Sequence, residues 1–234
     1  MKVVMLCSGA SWVRGVSGAI QGAGAGFPVY ASMRNLDKRA ALDAAAKAAG
    51  VSLEVIALDV EDTPSVDAAV QTIIDAQGQI DVLVANAGVG FARSTEQATE
   101  ADINWVMDVN FMGVVRCTKA VLPHMRAARS GRVIAVSSVG GLAGQPFNEV
   151  YCASKFAVEG YIESLASYVG PAFGLHFTAI EPGGISSEFA NTALKQIEES
   201  GGLLQDEYLP LIHKYLGTRK NRTEGVFQIG RAHV

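Results

Sequence analysis

Cysteine is scarce in this chain: Cys7, Cys117 and Cys152 are the only three among 234 residues. They form no Cys-x-x-Cys pair and their number is odd, which excludes a disulfide framework and points to reduced thiols in a cytoplasmic protein. The four histidines show no metal-ligand spacing, so no metal site is expected. Positive charge is not in excess either, and a formal net charge of −4 argues against a nucleic-acid partner. No apolar run approaches the ~20 residues that span a bilayer. The opening Val3-Val4-Met5-Leu6 is too short for a signal-peptide core and suits a buried first strand. Repeats, low-complexity tracts and linkers are missing too. What remains is one domain, 49% hydrophobic and 18% charged, long enough for a large core.

What is present is an alternation of β-branched runs and alanine-rich stretches. Strands are predicted at 2–7, 28–33, 52–58, 80–85, 131–137 and 175–180, and helices at 37–49, 64–77, 99–128, 150–170 and 187–199. Continuous apolar strands separated by helices mean a parallel sheet covered on both faces, and right-handed crossovers make it doubly wound. Ligands of such sheets sit beyond the carboxyl ends of the strands. Polar or glycine residues occupy all six ends: Ser8-Gly9, Arg34, Asp59, Asn86-Ala87-Gly88, Ser137-Ser138 and Pro182-Gly183.

Tyr151 and Lys155 stand four apart at the start of a helical stretch, so both project from one helix face. An ammonium beside a phenol favours the phenolate. A free tyrosine ionises near ~10, so work near neutrality asks the site to favour the phenolate by about 4 kcal/mol. Such a tyrosine could supply the proton that a carbonyl needs when hydride arrives from a nicotinamide, and Ser138 could hold the substrate oxygen. The residue that ends strand two usually decides between cofactors, an acid for a ribose hydroxyl and a base for a 2′-phosphate. Met33-Arg34 stands there, with no acid before Asp37, which favours NADP(H) over NAD(H).

Taken together, Asp59-Val60, Asn86-Ala87-Gly88, Asn110, Ser138, Tyr151-x-x-x-Lys155 and Pro182-Gly183 with Ser187 give residues 29–190 a pattern that resembles the short-chain dehydrogenase/reductase family. The thirteen-residue step from Ser138 to Tyr151 matches it as well. The resemblance implies a single Rossmann-type α/β domain over 1–228 and a carbonyl reductase or alcohol dehydrogenase acting on a small-molecule carbonyl or alcohol. It implies catalytic roles for Ser138, Tyr151, Lys155 and Asn110, the last holding a water that links Lys155 to solvent. Gly9, Gly15, Arg34, Asp59, Asn86, Ala87, Gly88, Pro182, Gly183 and Ser187 are the implied cofactor residues, with Tyr151 and Lys155 also reaching the cofactor. Asp59 faces the adenine in this scheme. A lid over about 187–222, with Tyr208, Leu211 and Tyr215, covers the substrate, and the intact family member is a homodimer or homotetramer.

Two stretches depart from the family pattern. The phosphate turn should read Thr-Gly-x-x-x-Gly-x-Gly, but Val13 replaces its middle glycine and a bulky Trp12 precedes it. A Cβ there would crowd the backbone's approach to phosphate. Residues 15–27 carry five glycines where an amphipathic helix belongs, each costing ~1 kcal/mol against alanine in a helix interior. That stretch reads as a local frameshift opened after Leu6 and closed before Val29, or else as divergence. Alanine or leucine at Gly22 and Gly24 is expected to repair it. The tail 229–234 matches what a read-through sequencing adapter encodes and is taken as non-native, with the family's last strand and helix missing and a sheet edge exposed. The competing functional reading is therefore a weakly cofactor-binding or non-catalytic product of a damaged frame. A haloalcohol-dehalogenating relative would carry arginine where Lys155 stands.

Overall fold

The structure, a computed structural model, describes residues 3–10, 13–183 and 204–220. Among the described residues, six strands form one wholly parallel sheet: β1 (Met5–Cys7), β2 (Val29–Met33), β3 (Glu54–Ala57), β4 (Val82–Ala85), β5 (Gly131–Val136) and β6 (Leu175–Ile180). Their order is β3-β2-β1-β4-β5-β6, the doubly wound order whose direction reverses between β1 and β4. The central strands β1 and β2 are buried throughout, which is why they read as unbroken apolar runs. Register aligns the carboxyl ends, with Cys7 opposite both Ala31 and Val84, Ala85 opposite Ala135, and Val136 opposite Ile180. The six polar strand ends expected from the sequence therefore share one edge.

Helices α1 (Val13–Gly24) and α2 (Ala40–Ala49) flank one face, over a core of Met5, Cys7, Ala19, Val29, Ala31, Met33 and Leu42. Helices α3 (Thr63–Gln77), α4 (Glu100–Met107), α5 (Gly113–Ala128) and α6 (Glu149–Phe173) follow, and the larger core under α3, α5 and α6 includes Leu6, Ile73, Leu83, Val121, Val133 and Val158. Asp62 caps α3 by accepting the Ser65 N–H, and Thr99 and Asp102 form a reciprocal capping box on α4. Among the described residues β6 pairs only with β5, and no helix is long and apolar enough to cross a membrane.

Four expectations change. The glycine-rich stretch is a helix, because Gly15, Ala19 and Gly22 are its buried positions and their smallness lets it lie close on the sheet. A Cβ on Gly22 would stand 2.7 Å from Met5 Sδ and 3.2 Å from Val29 Cγ2, so the alanine expected to repair this helix requires the Met5 side chain to shift, whereas Gly18 faces open space. The helix expected over 99–128 is broken by a π-helical turn at Asp108–Met112, where the Gly113 N–H bonds to Asp108 O five residues back. A short 3₁₀ turn, Leu36–Lys38, precedes α2. Finally, Leu209–Lys220 forms a helix, here α7, where only an aromatic stretch was expected. The helix predicted at 187–199 lies outside the described residues, as do Trp12, Ser187 and the tail.

Candidate active site

Beyond β1 and β4 the two turns are stitched together. Ser8, 1% exposed, accepts the N–H groups of Asn86 (3.0 Å) and Ala87 (3.1 Å) on its hydroxyl. Asn86 Nδ2 in return donates to the carbonyls of Ser8 (3.0 Å) and Gly9 (3.2 Å). Gly9 is in the left-handed region at φ +68, and a Cβ on it would stand 2.8 Å from Ala87 Cα. A Cβ on Gly15 would overlap Gly9 O and stand 2.8 Å from Asn86 Nδ2. Two bare glycines thus bring turn, helix α1 and strand β4 into direct contact, the arrangement that leaves backbone N–H groups at a helix N-terminus open to an anion. The described part of this turn fits the pyrophosphate of a dinucleotide.

Two strands away from β4, Arg34 ends β2 with its side chain 69% exposed, and its Nη1 donates to Glu61 Oε2 at 2.9 Å. Asp59 Oδ1 accepts the Glu61 N–H at 3.1 Å, and the Asp59 N–H donates to Ser65 Oγ at 3.0 Å, which fixes the turn after β3. Burial, then the neighbouring Asp59, pushes the Glu61 carboxyl above the usual carboxylate range, with Arg34 opposing. Three strand spacings of ~4.8 Å separate β2 from β5, so this end and the catalytic end suit one elongated ligand.

At the end of β5, Ser138 is extended and accepts the Gly140 N–H on its hydroxyl at 3.1 Å. The point a Gly140 Cβ would occupy lies 3.5 Å from Ser138 Oγ, 3.3 Å from Tyr151 Cε1 and 3.2 Å from Cys152 Sγ. A side chain at Gly140 would press on all three groups. Tyr151, 8% exposed, is held by an apolar cluster with Phe91, Val106 and Cys152. Lys155 is 4% exposed; its Nζ lies 5.9 Å from the centre of the Tyr151 ring and donates to Val136 O at 2.9 Å.

Asn110 sits in the π turn at 0% exposure. Its Oδ1 accepts the Val89 N–H (2.7 Å), and its Nδ2 donates to Val89 O (3.0 Å) and Ser154 Oγ (3.0 Å). Ser154 passes the link on by donating to Tyr151 O at 2.6 Å. The side chain of Asn110 thus braces the loop after β4 against α6. Gly88 belongs to the same loop, and a Cβ on it would meet Asn110 Oδ1 at 3.2 Å and Lys155 Nζ at 3.5 Å. π-Helical turns of this kind occur often at functional sites.

Pro182 O accepts the Val139 N–H at 3.2 Å and ties the end of β6 to the serine turn, while Gly183 faces open space. The described part of the expected lid is docked by its tyrosines. Tyr208 donates to Glu96 Oε1 (2.8 Å), Gln97 Nε2 donates to Asp206 Oδ2 (2.8 Å), and the Tyr215 hydroxyl accepts from Asn148 Nδ2 (3.2 Å). The Tyr215 ring also packs on Phe147, 5.9 Å between centroids, and Phe147 holds a positive φ of 60. Phe147, Asn148, Ser154 and Glu61 were not singled out from the sequence. Only Ser154, three residues after Tyr151 on the same helix, had a local signal.

The arrangement is a doubly wound parallel sheet that gathers a serine, a tyrosine and a lysine at one strand end. A family profile described as short chain dehydrogenase matches residues 3–198, and the chain belongs to that family. It is similar to 17-beta-hydroxysteroid dehydrogenase type 1 of Homo sapiens, 46% identical over 176 residues, covering 74% of this chain and 53% of that protein. It is also similar to Retinol dehydrogenase 8 of Homo sapiens, 41% identical over 198 residues, covering 80% and 62%. Among solved structures, an actinorhodin polyketide ketoreductase variant with NADPH superposes with a TM-score of 0.79 at 26% identity, covering 90% of this chain and 81% of that one. The chain spans about half the length of the first curated relatives it matches.

Proposed function

We propose that this chain is an NADP(H)-dependent oxidoreductase interconverting a carbonyl and an alcohol on a bulky apolar substrate, of the hydroxysteroid or retinoid kind that its relatives' names describe. The observation that carries the reading is that Ser138 Oγ and the edge of the Tyr151 ring both pack against Gly140, 3.5 and 3.3 Å from where its Cβ would stand, with the buried Lys155 Nζ 5.9 Å from the ring centre. A nicotinamide dinucleotide bound along the strand ends supplies or takes up the hydride. Tyr151 gives its phenolic proton to the substrate oxygen in reduction and recovers it in oxidation. The Lys155 ammonium favours the phenolate, and the Ser138 hydroxyl donates to the same substrate oxygen. Asn110 acts on neither, but keeps α6 and the loop after β4 in register.

Arg34, exposed at the end of β2, supports the choice of NADP(H), since a guanidinium suits a 2′-phosphate. Val139 and Leu142, 40% and 60% exposed beside Ser138, support an apolar substrate. Assembly as two or four copies in the cytoplasm completes the reading, and α6 exposes two large rings, Phe156 and Tyr168, that it could cover. The test is a turnover screen of hydroxysteroids, retinoids and small secondary alcohols, in both directions, with each cofactor. NADP(H)-linked turnover of the bulky substrates is expected. No turnover, together with no cofactor binding in a direct titration, would instead favour the damaged reading frame.

A further inference from the structure

We propose that Glu61 is a specificity-determining residue for the cofactor: it holds the Arg34 guanidinium and so lowers the advantage of a 2′-phosphate over a free 2′-hydroxyl. This rests on the reading of Arg34 as the 2′-phosphate ligand. The pair meets at 2.9 Å, with Arg34 69% and Glu61 27% exposed. Glu61 is the more buried member, and its backbone N–H is tied by Asp59 Oδ1 at 3.1 Å. The nearby cation on α5, Arg116, is spent elsewhere, donating to Asp108 Oδ1 (2.6 Å) and Val60 O (2.9 Å). A phosphate arriving at Arg34 therefore meets a guanidinium already paired with the Glu61 carboxylate, and must draw it off Glu61. A ribose hydroxyl at the same place carries no charge and meets no such opposition.

Neutralising Glu61 removes one negative charge within a few ångströms of the phosphate. At the dielectric and screening of an exposed site that amounts to roughly three- to tenfold in affinity. The experiment titrates NADPH, NADH and adenosine 2′,5′-bisphosphate into the full chain by calorimetry, for the parent, Glu61→Gln, Arg34→Ala and the double variant. Glu61→Ala serves as a second neutral variant, and unfolding midpoints are recorded for all. Glu61→Gln is expected to tighten NADPH and the bisphosphate three- to tenfold while NADH changes less than twofold, and the gain should vanish when Arg34→Ala is added. Unchanged or weaker NADPH binding in both neutral variants, with Arg34→Ala still weakening it, overturns the role of Glu61 alone. Indifference of NADPH binding to Arg34→Ala overturns both this role and the assignment of Arg34.

Discussion

Replacing Asn110 by alanine removes three hydrogen bonds from a site with 0% exposure: those to the Val89 N–H, to Val89 O and from Nδ2 to Ser154 Oγ. Asn110 itself is closed to water, which restricts their replacement. The Val89 N–H is left unpaired, at about 1–3 kcal/mol, and the other two bonds are worth about 0.5–1.5 kcal/mol each. The sum is roughly 2–6 kcal/mol, a large fraction of the ~5–15 kcal/mol that stabilises a domain, and a shift of order 10 °C in Tm. Urea unfolding by linear extrapolation measures it directly. Since Ser154 lies on α6 between Tyr151 and Lys155, turnover of the folded variant should fall as well. A loss below about 1 kcal/mol would mean that the π turn is held by something other than Asn110.

Gly15→Ala should weaken NADPH binding at least tenfold in a fluorescence titration, because its Cβ overlaps Gly9 O and crowds Asn86 Nδ2; an unchanged Kd would show that the turn does not hold the pyrophosphate. On α1, Gly18→Ala faces open space and should stabilise by about 0.5–1 kcal/mol, whereas Gly22→Ala meets Met5 Sδ and should destabilise. Equal shifts in the unfolding midpoint would contradict the close packing of α1. Tyr215→Phe loses its bond with Asn148 but keeps the Phe147 ring contact, so KM should rise severalfold with kcat nearly unchanged; a fall in kcat alone would place Tyr215 in the chemistry instead.

The strands were legible because burial on both faces of a parallel sheet leaves unbroken apolar runs, and their polar ends named most of the site. Tyr151 and Lys155 were legible because helical spacing alone puts them on one face. The π turn was not. Its trace among the buried apolar positions is a single five-residue step, from Val109 to Val114, between the three-residue steps Val106–Val109 and Val114–Cys117, and the buried residue of the turn, Asn110, finds its partners 21 and 44 positions away. Helix α1 was misjudged for a related reason. Glycine lowers helix propensity locally, but here Gly22 is set by its distance from Met5, a tertiary fact. Arg34 was recognised as a cation, yet Glu61, 27 residues on, is brought to it only by the pairing of β2 with β3.

The central claim is that Tyr151 moves the proton. Single-turnover reduction of a ketone substrate by NADPH, compared between the parent and Tyr151→Phe, tests it most directly, with cofactor affinity and unfolding midpoint measured alongside. Only the phenolic hydroxyl is removed, so the ring keeps its packing on Phe91 and Val106. The expected result is a rate reduced at least a hundredfold with folding and NADPH binding nearly unchanged. A variant that keeps more than a few per cent of the parent rate would contradict the assignment.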